Sequence, residues 1–176
     1  GKTLRDLCHP DITREDPNYL EEKDIKKRSG KNFGHYLEKY YFGYSNNNES
    51  EADFLEAGLE LKSSGLKLRD TKYYSMYVKK EPRLTLSTIN NAEIINEEFD
   101  TSSFYKKNKT LLIVFFDRDV NDKFEHNIDK KVIDTYLYTL ANYDYELIKN
   151  DWELIRNKVR NCEAHNLRNR DTEHLE

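Results

Sequence analysis

Two carboxylates and a lysine, Asp53, Glu60 and Lys62, lie close together along the chain. Carboxylate oxygens bind hard divalent cations such as Mg²⁺. A nearby ammonium group can orient a water molecule or offset the negative charge that builds up on a phosphate. Metal-assisted hydrolysis of a phosphodiester needs both kinds of group in one place. These three residues are therefore the first candidates for chemistry.

The local spacing predicts how these side chains would be placed. Apolar and charged residues alternate from Leu59 to Lys62, which predicts a strand with one buried face and one polar face. Glu60 and Lys62 would share the polar face, about 7 Å apart along the backbone. The backbone carbonyl of Leu61 lies between them and could act as a third metal ligand, and Asp53 begins the same hairpin.

The triplet alone is a weak signal. The chain has 33 acidic and 29 basic residues, so an Asp followed by Glu-x-Lys is expected by chance. The competing interpretation is an ordinary edge hairpin in which Glu60 and Lys62 face solvent.

The elements that must position these residues follow from hydrophobic periodicity. Apolar spacings of three and four predict helices, while alternating or continuous apolar runs predict strands. The helices are predicted over 24–42 and 144–160, and the strands over 59–62, 73–78, 83–89 and 110–116. The segment 132–140 fits either a strand or a helix. The predicted class is α/β, with a central mixed β-sheet flanked by helices.

The composition predicts a globular protein with a heavily solvated surface. Hydrophobic residues make up 36% of the 176 residues and charged residues 35%. No apolar run approaches the roughly 20 residues that a membrane span needs. The two cysteines, Cys8 and Cys162, have no metal-binding or disulfide-framework spacing. We therefore expect a cytoplasmic protein without a membrane partner.

The charge balance opposes a protein whose whole surface binds nucleic acid, because the net charge is −4. Clustered carboxylates of a metal site would lower the net charge, however, and basic residues still cluster locally. These clusters lie at 23–31, 62–80 and 106–109.

A longer segment carries more information than the triplet. Residues 51–63, Glu-Ala-Asp-Phe-Leu-Glu-Ala-Gly-Leu-Glu-Leu-Lys-Ser, closely resemble the catalytic segment of the MutH-like endonucleases. These belong to the restriction-endonuclease superfamily with the PD-(D/E)xK motif. The resemblance extends upstream to 34–38, Gly-His-Tyr-Leu-Glu, where Glu38 takes the position of a helical glutamate that joins the metal site in this family.

Later blocks, at 83–86, 99–104 and 144–153, resemble the GATC-cutting type II restriction endonucleases of the Sau-three-A type more than the mismatch-repair nickase. The similarity covers about 31–165. It implies a MutH-like fold and Mg²⁺-dependent hydrolysis of double-stranded DNA at GATC sites.

The resemblance also implies a role for each site residue. Glu38, Asp53, Glu60 and the Leu61 carbonyl would hold the metal. Lys62 would orient the attacking water. The family has a further lysine near the phosphate, for which Lys107 is the first choice and Lys109 the second.

Polar composition predicts an N-terminal arm (1–22) and a polar tail (166–176) on either side of the endonuclease domain (23–165). The resemblance implies that the tail stops before the family's DNA-recognition segment. A second MutH-like domain or self-association would then complete a double-strand cut. Two alternatives stay open: a mismatch-repair nicking endonuclease, and a noncatalytic DNA-binding or allosteric module of the same fold.

Overall fold

The computed structural model describes residues 2–7, 31–43, 52–70, 72–79, 84, 86–118, 127–168, 170–172 and 175. Most of the predicted arm and most of the basic cluster at 23–31 lie outside these residues. The helices are α1 (Leu4–Leu7), α2 (Lys31–Tyr36), α3 (Asn91–Ile94), α4 (Ser103–Asn108) and α5 (Asn142–Arg160). A π-helical turn over Leu37–Tyr41 continues α2, and the strands are β1 (Glu60–Asp70), β2 (Ser75–Lys79), β3 (Thr110–Asp117) and β4 (Val132–Thr139).

The four strands form one sheet in the order β2-β1-β3-β4, so β1 and β3 are the inner strands. The predicted central strand over 110–116 is confirmed as β3, and 132–140 is a strand rather than a helix. The strand predicted over 83–89 is wrong where it can be checked, since Leu84 and 86–89 form no strand. Leu86 and Ile89 instead pack irregularly against a cluster of buried residues.

The chain folds as two compact units. Unit 1 contains residues 1–48, 61–84 and 112–137, and unit 2 contains residues 49–60, 85–111 and 138–176. In unit 1 the ring of Phe33 on α2 stacks on Phe116 of β3, with the ring centroids 4.1 Å apart. Tyr36 and Tyr40 are also buried, whereas Tyr41 is exposed.

The core of unit 2 is built around α5, which confirms the helix predicted over 144–160. Trp152 and Ile155 face inward against Phe99 and Phe104. Leu175 joins this cluster, and its backbone N–H donates to the Asp151 carboxylate at 3.1 Å. The polar tail therefore contributes an apolar side chain to the core. None of the described helices has the length and apolar character that a membrane span requires.

Candidate active site

A tight hairpin in unit 2 brings Asp53 and Glu60 together. The backbones of Phe54 and Leu59 exchange two hydrogen bonds, of 2.9 and 3.3 Å. One residue further out on each side, the Asp53 backbone N–H donates to Oε2 of Glu60 at 3.3 Å. The predicted proximity of Asp53 to Glu60 is therefore present in the structure.

Gly58 closes this hairpin. It follows a 3₁₀ turn over Leu55–Ala57 and takes a left-handed conformation, with φ 58° and ψ 38°. Its N–H donates to the Leu55 carbonyl at 3.1 Å. A residue with a Cβ is strained at this φ, so glycine allows the chain to reverse within a few residues of Glu60.

The side chain of Glu60 is buried, with 5% of the residue exposed. The predicted alternation is wrong here, because Glu60 and Leu61 are both buried while Lys62 is half-buried. Glu60 and Leu61 are consecutive strand residues whose side chains point to opposite faces, so the burial of both shows that the start of β1 is covered on both faces. A solvated edge hairpin is therefore excluded, because β1 is an inner strand and Glu60 is buried.

In unit 1, helix α2 approaches β1 directly beside Lys62. A Cβ added to Gly34 would lie 3.1 Å from the Oγ of Ser63, so this glycine lets α2 lie close to the strand. Glu38 lies one helical turn further along, in the π-helical turn that Phe42 closes by donating to the Leu37 carbonyl at 3.1 Å. Such turns are frequent at functional sites.

The two candidate lysines lie at the end of α4 in unit 2. Ser102 caps this helix by accepting a hydrogen bond from the Tyr105 N–H at 3.0 Å. Lys107 is half-buried on α4, and Lys109 follows its last residue. A Cβ at Gly58 would lie 3.4 Å from Cε and 3.6 Å from Nζ of Lys109. The ammonium group of Lys109 therefore lies over the turn between Asp53 and Glu60.

The donor set of the hairpin suits a hard cation. Within the described ranges, no three His, Cys, Asp or Glu side chains form a group that could hold a metal ion. Mg²⁺ usually takes only one or two protein carboxylates and keeps several waters. Asp53, Glu60 and the Leu61 carbonyl are all oxygen donors, so the residues present fit Mg²⁺.

The sequence predicts the hairpin and gives Lys107 as the first choice for the phosphate lysine and Lys109 as the second. The structure adds that the side chain of Lys109 lies beside Gly58. A glycine in a turn often allows another chain segment to approach closely, and here that segment is the end of α4.

The fold and the hairpin define an α/β protein of the restriction-endonuclease-like type. The family described as "DNA mismatch repair enzyme MutH" matches residues 42–151, more than half of the chain, and the chain belongs to this family. The predicted resemblance and fold class are thus confirmed. Asp53, Glu60, Leu61, Lys62, Lys107 and Lys109 lie inside the matched range, and Glu38 lies outside it.

The chain is also similar to a protein named "Type II restriction enzyme Sau3AI" from Staphylococcus aureus. The two are 38% identical over 92 residues, which cover 52% of this chain. The match covers 18% of the length of that relative, so this chain is similar to only a small part of the Staphylococcus aureus protein.

Proposed function

We propose that this chain is the catalytic domain of a Mg²⁺-dependent type II restriction endonuclease that cuts double-stranded DNA at GATC sites. One observation carries the proposal. The buried carboxylate of Glu60 accepts the Asp53 N–H at 3.3 Å and begins the inner strand that bears Lys62, inside the segment that matches the MutH family.

Each site residue has a proposed role. Asp53, Glu60 and the Leu61 carbonyl would hold the metal, with Glu38 as a further carboxylate ligand. Bound Mg²⁺ would supply Lewis-acid stabilisation of the charge that develops on the phosphate. The hydrogen bond from the Asp53 N–H would hold the Glu60 carboxylate in place before DNA binds, which would lower the reorganisation needed.

The lysines act on the water and the phosphate. Lys62 orients the attacking water. The water oxygen forms a bond to phosphorus in line with the bond to the 3′ oxygen, which breaks. The water releases a proton to solvent and the 3′ oxygen gains one, leaving a 3′ hydroxyl and a 5′ phosphate. Lys109, or Lys107, offsets the phosphate charge.

The choice between cutting both strands and nicking one strand rests on similarity to known enzymes. The identity to a type II restriction enzyme over 92 residues favours a restriction enzyme over the mismatch-repair nickase. GATC specificity follows only from the resemblance of the later sequence blocks to the GATC-cutting enzymes.

Plasmid cleavage tests the proposal, with and without Mg²⁺ at low salt. We expect Glu60→Gln and Lys62→Ala each to lower the cleavage rate by at least about 100-fold, because the first removes a metal ligand and the second removes the group that orients the attacking water. Glu56→Gln is the matched control, since Glu56 is an exposed carboxylate of the same hairpin.

The products separate the alternatives. Linear DNA with ends at GATC supports the restriction enzyme, and nicked circles that never become linear support the nickase. Retained DNA binding without metal-dependent cutting would contradict an enzyme and favour the noncatalytic module. Cleavage by Lys62→Ala at the wild-type rate would contradict the role of that lysine.

A further inference from the structure

Exposed apolar side chains concentrate at the tip of the hairpin formed by β1 and β2. Nine large hydrophobic residues are exposed among the described residues, and four of them lie between 68 and 76. These are Leu68 (42% exposed), Tyr73 (84%), Tyr74 (59%) and Met76 (46%). Exposed apolar groups clustered in this way mark surfaces that bind a partner.

The same hairpin is strongly basic. Residues 62–80 contain six basic residues and one acidic residue, in a chain whose net charge is −4. Lys67, Arg69 and Lys72 are exposed. The ammonium of Lys72 lies 5.7 Å from the ring centroid of Tyr73, so charge and aromatic surface are adjacent. This combination suits a polyanion with flat, partly apolar groups.

The backbone arranges these groups on one ribbon. The strands are antiparallel, with five residue pairs from Leu66 opposite Lys79 to Asp70 opposite Ser75. Arg69 lies opposite Met76, so a cation and an apolar side chain share one face. The paired region extends about 13 Å along the strand direction.

The base of this ribbon is fixed in unit 1. The Tyr77 hydroxyl donates to the Asp117 carboxylate at 3.0 Å, and the Arg118 N–H donates to the Leu66 carbonyl at 2.6 Å. The side chain of Arg118 also lies against Gly65, where a Cβ would come within 2.8 Å of its Cδ. Hydrogen bonds to Asp117 and Arg118 therefore hold the base of the ribbon in place, while its other end is exposed.

We propose that the hairpin tip, defined as Lys67, Arg69, Lys72, Tyr73, Tyr74 and Met76, binds duplex DNA as a two-stranded ribbon in the major groove. A β-ribbon fits this groove, which is about 12 Å wide. The cations contact phosphates, and the tyrosines and Met76 contact base edges and thymine methyl groups. The proposal rests on the proposed function, because it requires a DNA substrate.

Binding to a short fluorescein-labelled duplex tests this surface. Anisotropy is measured in EDTA, so that cleavage does not interfere. We expect Arg69→Gln and Lys72→Gln each to weaken binding several-fold and to reduce the slope of log K against log salt by about 1. The charge-matched control is Lys131→Gln, an exposed residue next to β4 at the opposite edge of the sheet.

The aromatic contribution is tested separately. Combined Tyr73→Ala and Tyr74→Ala substitution is expected to weaken binding about tenfold with an unchanged salt slope, because it removes contact area and no charge. Combined Tyr73→Phe and Tyr74→Phe substitution keeps the rings and is expected to restore binding. Circular-dichroism melts at the wild-type midpoint confirm that these surface variants fold.

The outcomes distinguish this proposal from the proposed function. Wild-type affinity in the charge and aromatic variants would overturn the role of the hairpin tip alone. Tighter binding of single-stranded DNA, lost in the alanine variant, would overturn the duplex ribbon in favour of base stacking. Duplex binding that depends on the tip supports it even if no cleavage occurs. A wild-type chain that binds no duplex would overturn both proposals.

Discussion

The carboxylate of Glu60 is buried at the start of β1, where it accepts the Asp53 N–H at 3.3 Å. Removing a charged carboxylate from water is costly unless partners compensate it, and this hydrogen bond is one such partner. Under the proposed function, a bound divalent cation would be a further one.

The position of Lys109 predicts that its ammonium group contributes to the cleavage rate. We expect Lys109→Ala to lower the cleavage rate about tenfold, because its ammonium lies over the turn between the two carboxylates and would offset phosphate charge. Lys109 is exposed, so solvent and salt screening limit the effect. The measurement is plasmid cleavage at several salt concentrations.

The control for this prediction is Lys106→Ala, which removes an equal charge from an exposed position on the same helix. Lys107→Ala is measured beside it, since Lys107 is the first choice from sequence. A larger loss in Lys107→Ala than in Lys109→Ala would contradict the assignment to Lys109.

Strand β1 contributes residues to both proposed sites. Its first residues carry the proposed chemistry, and its last residues form the exposed ribbon with β2. Tyr77 of β2 connects this ribbon to Asp117 at the end of β3 by a hydrogen bond.

Burial and the adjacent Asp117 carboxylate, which accepts the hydrogen bond, raise the pKa of the Tyr77 hydroxyl above its ordinary value of 10.0.

This pKa shift predicts how stability depends on pH. The fold favours the neutral hydroxyl, so its contribution is complete below the unfolded-state pKa and is lost as the pH rises through the higher folded-state pKa. We expect Tyr77→Phe to reduce the free energy of unfolding by about 1 kcal/mol at neutral pH. It should also show a smaller alkaline loss of stability than the wild type in urea titrations.

Tyr136→Phe provides the comparison, since Tyr136 is 58% exposed on β4. Part of the alkaline loss should remain in Tyr77→Phe, because a hydrogen bond to Asp100 also raises the pKa of Tyr145. An identical alkaline profile in Tyr77→Phe and the wild type would refute the assignment to Tyr77.

At the scale of the whole molecule, the chain has one copy of Asp53, Glu60 and Lys62. Cutting both strands of a palindromic site requires two active sites or two successive nicks. We propose that self-association or a second MutH-like domain supplies the other site in a double-strand cut.

This leads to a prediction about product order. At low protein concentration we expect nicked circles to accumulate before linear DNA, and at high concentration linear DNA to appear directly. Agarose gels of plasmid time courses, run across a range of protein concentrations, measure the ratio. Direct linearisation at every concentration, in a chain that sediments as a monomer, would argue against paired chains.

Several features were predictable because they depend on local sequence. The helix that became α5 follows from its apolar spacing, β3 from its continuous apolar run, and the hairpin from Gly58 and its flanking residues. The candidate site residues Asp53, Glu60 and Lys62 are likewise chosen from local residue types and spacing together with the resemblance of 51–63, and their roles stay predictions. The strand expected over 83–89 is absent at the residues of this segment that the structure describes, because Leu86 and Ile89 pack, partly buried, against a cluster of buried residues. Periodicity cannot distinguish such packing from burial in a sheet.

The sequence by itself determined the family, the α/β class and the identity of the candidate catalytic residues, since each is encoded in contiguous segments. Only the tertiary structure decided that Glu60 is buried, that Lys109 lies over Gly58, and that basic and aromatic residues share the β1–β2 ribbon. The physical reason is that burial and proximity depend on which distant segments cover a residue. Strand order and the path of α4 determine this, and neither is written in the local pattern.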